Sequence, residues 1–132
     1  MSKFVAVAAL ILGQALLVAP VVGAGSACTP DIAWSDVPPE IRTQIAQATG
    51  GEISPKDRLF NSTDVVRDAT PRARFFGACR KSKQWTVAVE RGGIGYHLQV
   101  FKFSGSALTD KWTAFVPSGG FTPSALDRPD ER

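Results

Sequence analysis

The stretch that decides the fold is Gln84–Phe103, which reads QWTVAVERGGIGYHLQVFKF. Two runs rich in β-branched and aromatic residues flank the pair Gly92–Gly93, and this pattern is typical of a β-hairpin. Side chains alternate along a strand, so the register of the hairpin decides which residues share a face. With the two glycines as turn residues, the predicted core face pairs Arg91 with Ile94, Val89 with Tyr96, Val87 with Leu98, and Trp85 with Val100.

Two further strands are predicted, one on each side of the hairpin. Residues 72–80 form a strand with its core side chains at Ala73, Phe75, Gly77 and Cys79. Residues 108–116 form the last strand, with Trp112, Ala114 and Val116 on the core side, and Pro117 ends it.

A helix is predicted over residues 41–48, where apolar side chains recur at helical spacing. Pro38–Pro39 suits the first turn, and Gly50–Gly51 ends the helix. The predicted fold class is α+β, with one N-terminal helix packed on a four-stranded antiparallel β-meander after a cleaved signal peptide. Leu59–Phe60 and Val65–Val66 are expected to attach the connection between helix and sheet to the core.

The chain of 132 residues is predicted to divide into three parts. Residues 1–27 have the pattern of a signal peptide, because Lys3 precedes an apolar run over Phe4–Val22 and small residues follow it. An uncleaved membrane anchor is the alternative. Residues 28–117 form a single α+β domain, and residues 118–132 form a flexible C-terminal tail rich in Gly, Pro, Ser and charge.

The expected location is periplasmic or secreted, which places Cys28 and Cys79 in an oxidising compartment. A cysteine pair in an exported domain predicts a disulfide between these two residues. The alternative is that Cys28 is the lipidated first residue of a lipoprotein.

No catalytic residue, metal ligand set or cofactor is predicted. The sequence has one histidine, His97, and neither a Gly-x-Ser-x-Gly elbow nor a Cys-x-x-Cys or His-x-x-x-His spacing. We therefore expect a non-enzymatic binding protein, an inhibitor or accessory protein, with a small extracytoplasmic hydrolase of unrecognised site as the alternative.

Charge and aromatic residues predict where binding occurs. The formal net charge is +3, and residues 53–103 hold ten basic against four acidic side chains. Basic and aromatic residues that alternate onto the outer sheet face suit an anionic partner with some apolar surface. The predicted binding residues are Arg72, Arg74, Phe76, Arg80, His97, Phe101, Lys111 and Phe115.

An acidic protein is the first expected partner, and an anionic polysaccharide or lipid head group is the second. Nucleic acid is not expected, because export removes most such targets. In an alternative interpretation, Phe76, Phe101 and Phe115 form a second small core under the loop of residues 52–71.

Overall fold

The computed structural model describes residues 31–65 and 68–128, and their fold is α+β. Within these ranges a single sheet has the strand order β1-β2-β3-β4-β5. The elements are a 3-10 helix at Trp34–Asp36, α1 at Pro39–Thr49, β1 at Ile53–Ser54, β2 at Ala73–Lys81, β3 at Gln84–Arg91, β4 at His97–Ser104, β5 at Ala107–Ala114, and a second 3-10 helix at Pro123–Leu126. The predicted signal peptide, residues 1–27, and Cys28 lie outside the described residues.

The sheet is mixed, which corrects the prediction of four antiparallel strands. Strand β1 lies parallel to β2, with Ile53 beside Ala73 and Ser54 beside Arg74. The other neighbouring strands in the described part are antiparallel. A strand of two residues is too short to produce an alternating pattern, so β1 left no signal in the sequence.

Helix α1 begins at Pro39, where the fixed backbone angle of proline suits the first turn. It ends at Gly50, whose φ of 84° is a left-handed conformation that glycine adopts without strain. Ile41, Ile45 and Thr49 are its buried residues, and the helix continues one residue beyond the predicted range of 41–48. No helix in the described ranges is both long and apolar enough to cross a bilayer.

The register of the central hairpin differs from the prediction by three residues. Trp85 lies opposite Phe103, and Val87 lies opposite Phe101. The connection covers residues 92–96 instead of two glycines. An odd shift reverses the faces of β4, so Phe101 and Phe103 point to the helix side while Leu98 and Val100 point away.

A tertiary contact explains why the two glycines do not form the tight turn. A Cβ atom on Gly92 would lie 2.2 Å from the backbone oxygen of Asn61, so only glycine fits there without displacement. The backbone N–H of Gly93 donates a hydrogen bond to the Ser62 oxygen at 3.1 Å. The glycines therefore join the β3–β4 loop to the segment before β2 instead of reversing the chain.

Strand β2 contains a β-bulge between Phe75 and Gly77. One extra residue shifts the alternation, so Phe75 and Ala78 both face the helix. Cys79 then pairs with Thr86 and lies on the other face, whereas the sequence predicted it opposite Trp85 on the core face. Gly77 pairs with Ala88 and also leaves the predicted core face.

The sheet is covered on both sides. The helix-side core consists of Val37, Ile41, Ile45, Ile53, Ala73, Phe75, Ala78, Trp85, Val87, Val89, Phe101 and Phe103. The second core consists of Phe76, Ala88, Leu98, Val100, Ala114, Ala125 and Leu126, with Cys79, Trp112, Val116 and Phe121 packed against it.

The C-terminal segment supplies the cover of the second core. Ala125 and Leu126 are buried in the 3-10 helix that follows Pro123. A Cβ on Gly77 would lie 2.2 Å from the Phe121 ring, so the absence of a side chain at the bulge lets this ring approach the sheet. Residues 121–126, which fall within the predicted tail at 118–132, therefore pack against the sheet.

Candidate binding surfaces

Two of the eight predicted binding residues are buried in the cores. Phe101 is 1% exposed in the helix-side core, because the shifted register turns it inward. Phe76 is buried in the second core with its ring centroid 5.8 Å from that of Phe121. Neither phenylalanine is available to a partner, and both corrections follow from the register of β4 and the docked C-terminal segment.

The remaining predicted residues do not share one surface. Arg80 pairs with Trp85, and its guanidinium carbon lies 5.5 Å from that ring centroid, on the helix side. His97 pairs with Arg91, and its Nδ1 lies 2.6 Å from the Gly95 oxygen.

Three more of them lie apart along the sheet. Lys111 is exposed and pairs with Phe101 in the edge strand β5, and Phe115 follows that strand and is 80% exposed. Arg72 is exposed just before β2, at the end of the sheet where the β3–β4 loop lies. The predicted outer-face site is therefore divided among both faces and one end of the sheet.

The eighth residue, Arg74, belongs to a polar network that the sequence did not predict. Its Nε donates a hydrogen bond to Glu90 Oε2 at 2.6 Å, and the Tyr96 hydroxyl donates a short hydrogen bond to Glu90 Oε1. Glu90 is buried, so both of its oxygens have partners, as buried carboxylates require. The Arg74 guanidinium also stacks over Phe60, with 4.4 Å from its carbon to the ring centroid.

The network perturbs two pKa values. The hydrogen bond from Arg74 to Glu90 raises the pKa of Arg74. Burial, then the hydrogen bond and charge of Glu90, raise the pKa of Tyr96 to about 12. Each shift favours the protonated group that binds the buried carboxylate, so the network stays intact across the neutral pH range.

This network supports an exposed apolar surface at one end of the sheet, which we call the loop-end surface. Its members are Leu59, Phe60 and Val65 of the loop before β2, together with Ile94 and Tyr96 of the β3–β4 loop. The two loops meet through the Phe60–Tyr96 ring contact and the hydrogen bond from Gly93 to Ser62. Leu59 is 87% exposed and Ile94 is 92% exposed, so the expectation that Leu59 and Val65 attach the connection to the core is wrong. Phe60 and Tyr96 pack against each other, with 6.2 Å between their ring centroids, and are the more buried members of this surface.

Local hydrogen bonds hold the loop that carries this surface. The Asn61 side chain donates to the Val65 oxygen at 2.8 Å and accepts from the Thr63 N–H at 2.9 Å. The Asn61 backbone N–H donates to the Pro71 oxygen at 2.7 Å. Leu59, Phe60 and Val65 also line a cavity of about 500 Å³. These hydrogen bonds hold the loop in one arrangement.

A second surface lies at the opposite end of the sheet, in the turn between β2 and β3, Arg80–Lys83, which we call the basic turn. Lys81 pairs with Gln84, and Ser82 has a φ of 54°. The Arg80, Lys81 and Lys83 residues are exposed. The backbone N–H of Gly105 in the β4–β5 turn donates to the Lys83 oxygen at 2.8 Å, which fixes the two turns side by side.

The two surfaces left different signals in the sequence. The basic turn was visible as a cluster of charges, but the bulge in β2 moved Arg80 to the helix side. The loop-end surface depends on contacts between residues 59–65 and residues 92–96, which no local pattern reveals. Residues 31–65 and 68–128 contain no group of three or more His, Cys, Asp or Glu side chains that would hold a metal ion. The chain matches no protein-family model, no curated protein and no solved structure.

Proposed function

We propose that this protein is a small exported binding protein, periplasmic or secreted, that acts without catalysis as an inhibitor or accessory protein. Its partner is an acidic protein, which it holds on the loop-end surface. This proposal moves the binding site from the outer sheet face, which the C-terminal segment covers, to the end of the sheet that carries the β3–β4 loop.

The distribution of exposed apolar side chains carries the proposal. Six large hydrophobic residues of the described part are exposed, and four of them, Leu59, Val65, Ile94 and Tyr96, lie on this one surface. Solvent contact with clustered apolar side chains is unfavourable, so clusters of this kind mark interaction sites in soluble proteins. Tyrosine is also among the residue types that contribute most to protein interfaces.

Charge selects the partner in this proposal, and apolar contact supplies the affinity. Arg58 and Arg72 present exposed guanidinium groups at the border of the surface. Asp64 and Asp68 lie in the same loop, so the local charge is mixed and does not by itself bind an anion. The excess of basic over acidic residues in residues 53–103 attracts an acidic partner at long range and raises the rate of encounter.

A pull-down from the native envelope, read by mass spectrometry, tests the proposal with two matched pairs of variants. The test pair is Leu59→Ser with Ile94→Ser, and the control pair is Leu108→Ser with Phe115→Ser. Leu108 and Phe115 are the other two exposed large hydrophobics, and they lie on or just after β5. All four positions are exposed, so the folded state should tolerate every substitution within about 0.5 kcal/mol.

We expect one acidic protein that wild type and the control pair retain and that the test pair loses. If the control pair loses the acidic protein and the test pair retains it, the binding site lies at the β5 edge instead. Retention by both pairs would exclude the loop-end surface as the binding site.

A further inference from the structure

We propose that the basic turn docks on the surface of a membrane that contains anionic phospholipids. The proposal concerns the opposite end of the sheet from the loop-end surface and does not depend on the function proposed above. The eight-residue strand β3 separates the two ends by roughly 25 Å at the usual rise per residue. That distance exceeds the Debye length of about 8 Å at physiological ionic strength, so the two ends act as separate electrostatic sites.

The first support is uncompensated positive charge on a protruding turn. Arg80, Lys81 and Lys83 are exposed within four consecutive residues. Neither of the two ion pairs found in the described residues, Arg74–Glu90 and Arg128–Asp110, includes them.

The surrounding charge is also more basic than acidic. Lys102 is half-buried beside the turn and lines a cleft with Lys81, but its charge is partly offset by Asp110, its cross-strand neighbour in β5. The acidic side chains that line the adjoining clefts are Glu40 and Asp127, so an excess of cations remains.

The second support is the kind of cation and the shape of the turn. Lysine ammonium groups are hydrated point charges that do not require the paired geometry of a carboxylate. The Arg80 side chain, which would recognise a carboxylate in a bidentate manner, is held over Trp85, and its Nε donates to the Ser82 oxygen at 3.4 Å. Two free lysines at the tip of a hairpin therefore suit a diffuse layer of phosphate groups better than a single protein carboxylate.

The third support is the apolar residue beside the turn. Leu108 is 43% exposed and follows the β4–β5 turn, which is bonded to the basic turn through Gly105 and Lys83. An apolar side chain next to basic ones is the usual arrangement at the boundary between head groups and acyl chains.

Vesicle flotation with the exported protein tests the proposal. Wild type should bind vesicles of phosphatidylcholine that contain a one-third share of phosphatidylglycerol, should not bind pure phosphatidylcholine vesicles, and should dissociate as salt is added. The double variant Lys81→Gln with Lys83→Gln should bind about 25-fold more weakly, because each basic residue near an anionic surface contributes about fivefold. The matched control, Arg58→Gln with Arg72→Gln, removes the same charge from the other end and should change binding less than about twofold.

Three results would overturn the proposal. If the wild-type protein does not float with vesicles that contain phosphatidylglycerol, it has no affinity for an anionic membrane. Equal loss in both double variants would mean that net charge alone, rather than the basic turn, drives binding. Tighter binding to a soluble sulfated polysaccharide than to vesicles, with the same 25-fold loss in the Lys81 and Lys83 variant, would assign the turn to an anionic glycan. Circular dichroism of each variant confirms that the exposed substitutions leave the fold unchanged.

Discussion

Replacing Phe101 by alanine distinguishes the observed register of the hairpin from the one expected from its glycine pair. In the expected register Phe101 lies on the outer face and contacts a partner, so its loss affects binding and leaves stability nearly unchanged. In the observed register Phe101 lies opposite Val87 and Lys111, in the helix-side core, at 1% exposure. Phe101→Ala should therefore destabilise the protein strongly.

The magnitude follows from the surface that Phe101 buries. Folding removes roughly 150–250 Å² of an aromatic side chain from water. At about 25 cal/mol per Å² this contributes at most about 4–6 kcal/mol, an upper bound because the unfolded chain already buries part of it. Substitutions of buried phenylalanine by alanine cost about 3–5 kcal/mol in practice. We expect about 4 kcal/mol, a large share of the total stability of a small domain.

Urea unfolding followed by tryptophan fluorescence measures this change. The control is Phe115→Ala, which removes the same side chain from a position that is 80% exposed and should shift the free energy of unfolding by less than about 0.5 kcal/mol. If Phe101→Ala unfolds at the same urea concentration as wild type, the register and the helix-side core described above are wrong.

Three other measurements test separate parts of the structure. Tyr96 is the single tyrosine of the sequence, so its absorbance titration should have a midpoint near pH 12 instead of 10. The folded protein keeps this proton to higher pH than the unfolded chain, so the stabilisation should be complete below about pH 10 and lost between about 10 and 12, and Glu90→Gln should lower the midpoint. Leu126→Ala should reduce the free energy of unfolding by about 2–5 kcal/mol through loss of the second core, whereas the exposed Ser124→Ala should change it by less than about 0.5 kcal/mol. Cys79→Ser should cost about 4 kcal/mol if a disulfide closes a loop of about 50 residues, and thiol titration of unfolded, unreduced wild type should find no free thiol.

The sequence was informative about elements with a repeating pattern. Helix α1 has apolar residues at helical spacing between a proline start and a glycine end, and both signals are local. Strand β3 alternates strictly from Trp85 to Val89, and its helix-side face is as predicted. Local propensity and hydrophobic period agree in these segments, so little tertiary information was needed.

The predicted sheet faces were wrong where one additional residue in a loop or a bulge changes the direction of the side chains that follow. The loop at residues 92–96 reverses the alternation of β4, and the bulge after Phe75 reverses the alternation of the remainder of β2. Both depend on contacts with distant residues: the Asn61–Ser62 backbone beside Gly92, and Phe121 against Gly77. The sequence pattern of a hairpin predicts that two strands pair, but long-range contacts decide the register in which they pair.

The positions of two predicted site residues depend on the same kind of long-range contact. Phe101 lies in the helix-side core because the side chains of β4 point to the opposite faces from those predicted. Phe76 lies in the second core because the C-terminal segment covers it. The apolar residues Phe121, Ala125 and Leu126 were visible in a segment otherwise rich in Gly, Pro and Ser. Their spacing matches no regular element, so composition alone favoured a tail.

The second core has a consequence for the order of folding, because the residues that close it follow all the strands of the sheet in sequence. Strands β2, β3 and β4 each pair with the next strand in sequence, and such local pairings form early. Until residues 121–126 are available, Phe76, Leu98 and Val100 form an apolar sheet face open to solvent. A chain truncated before Phe121 should therefore aggregate or bind a holding chaperone, because only docking of residues 121–126 removes this apolar face from solvent.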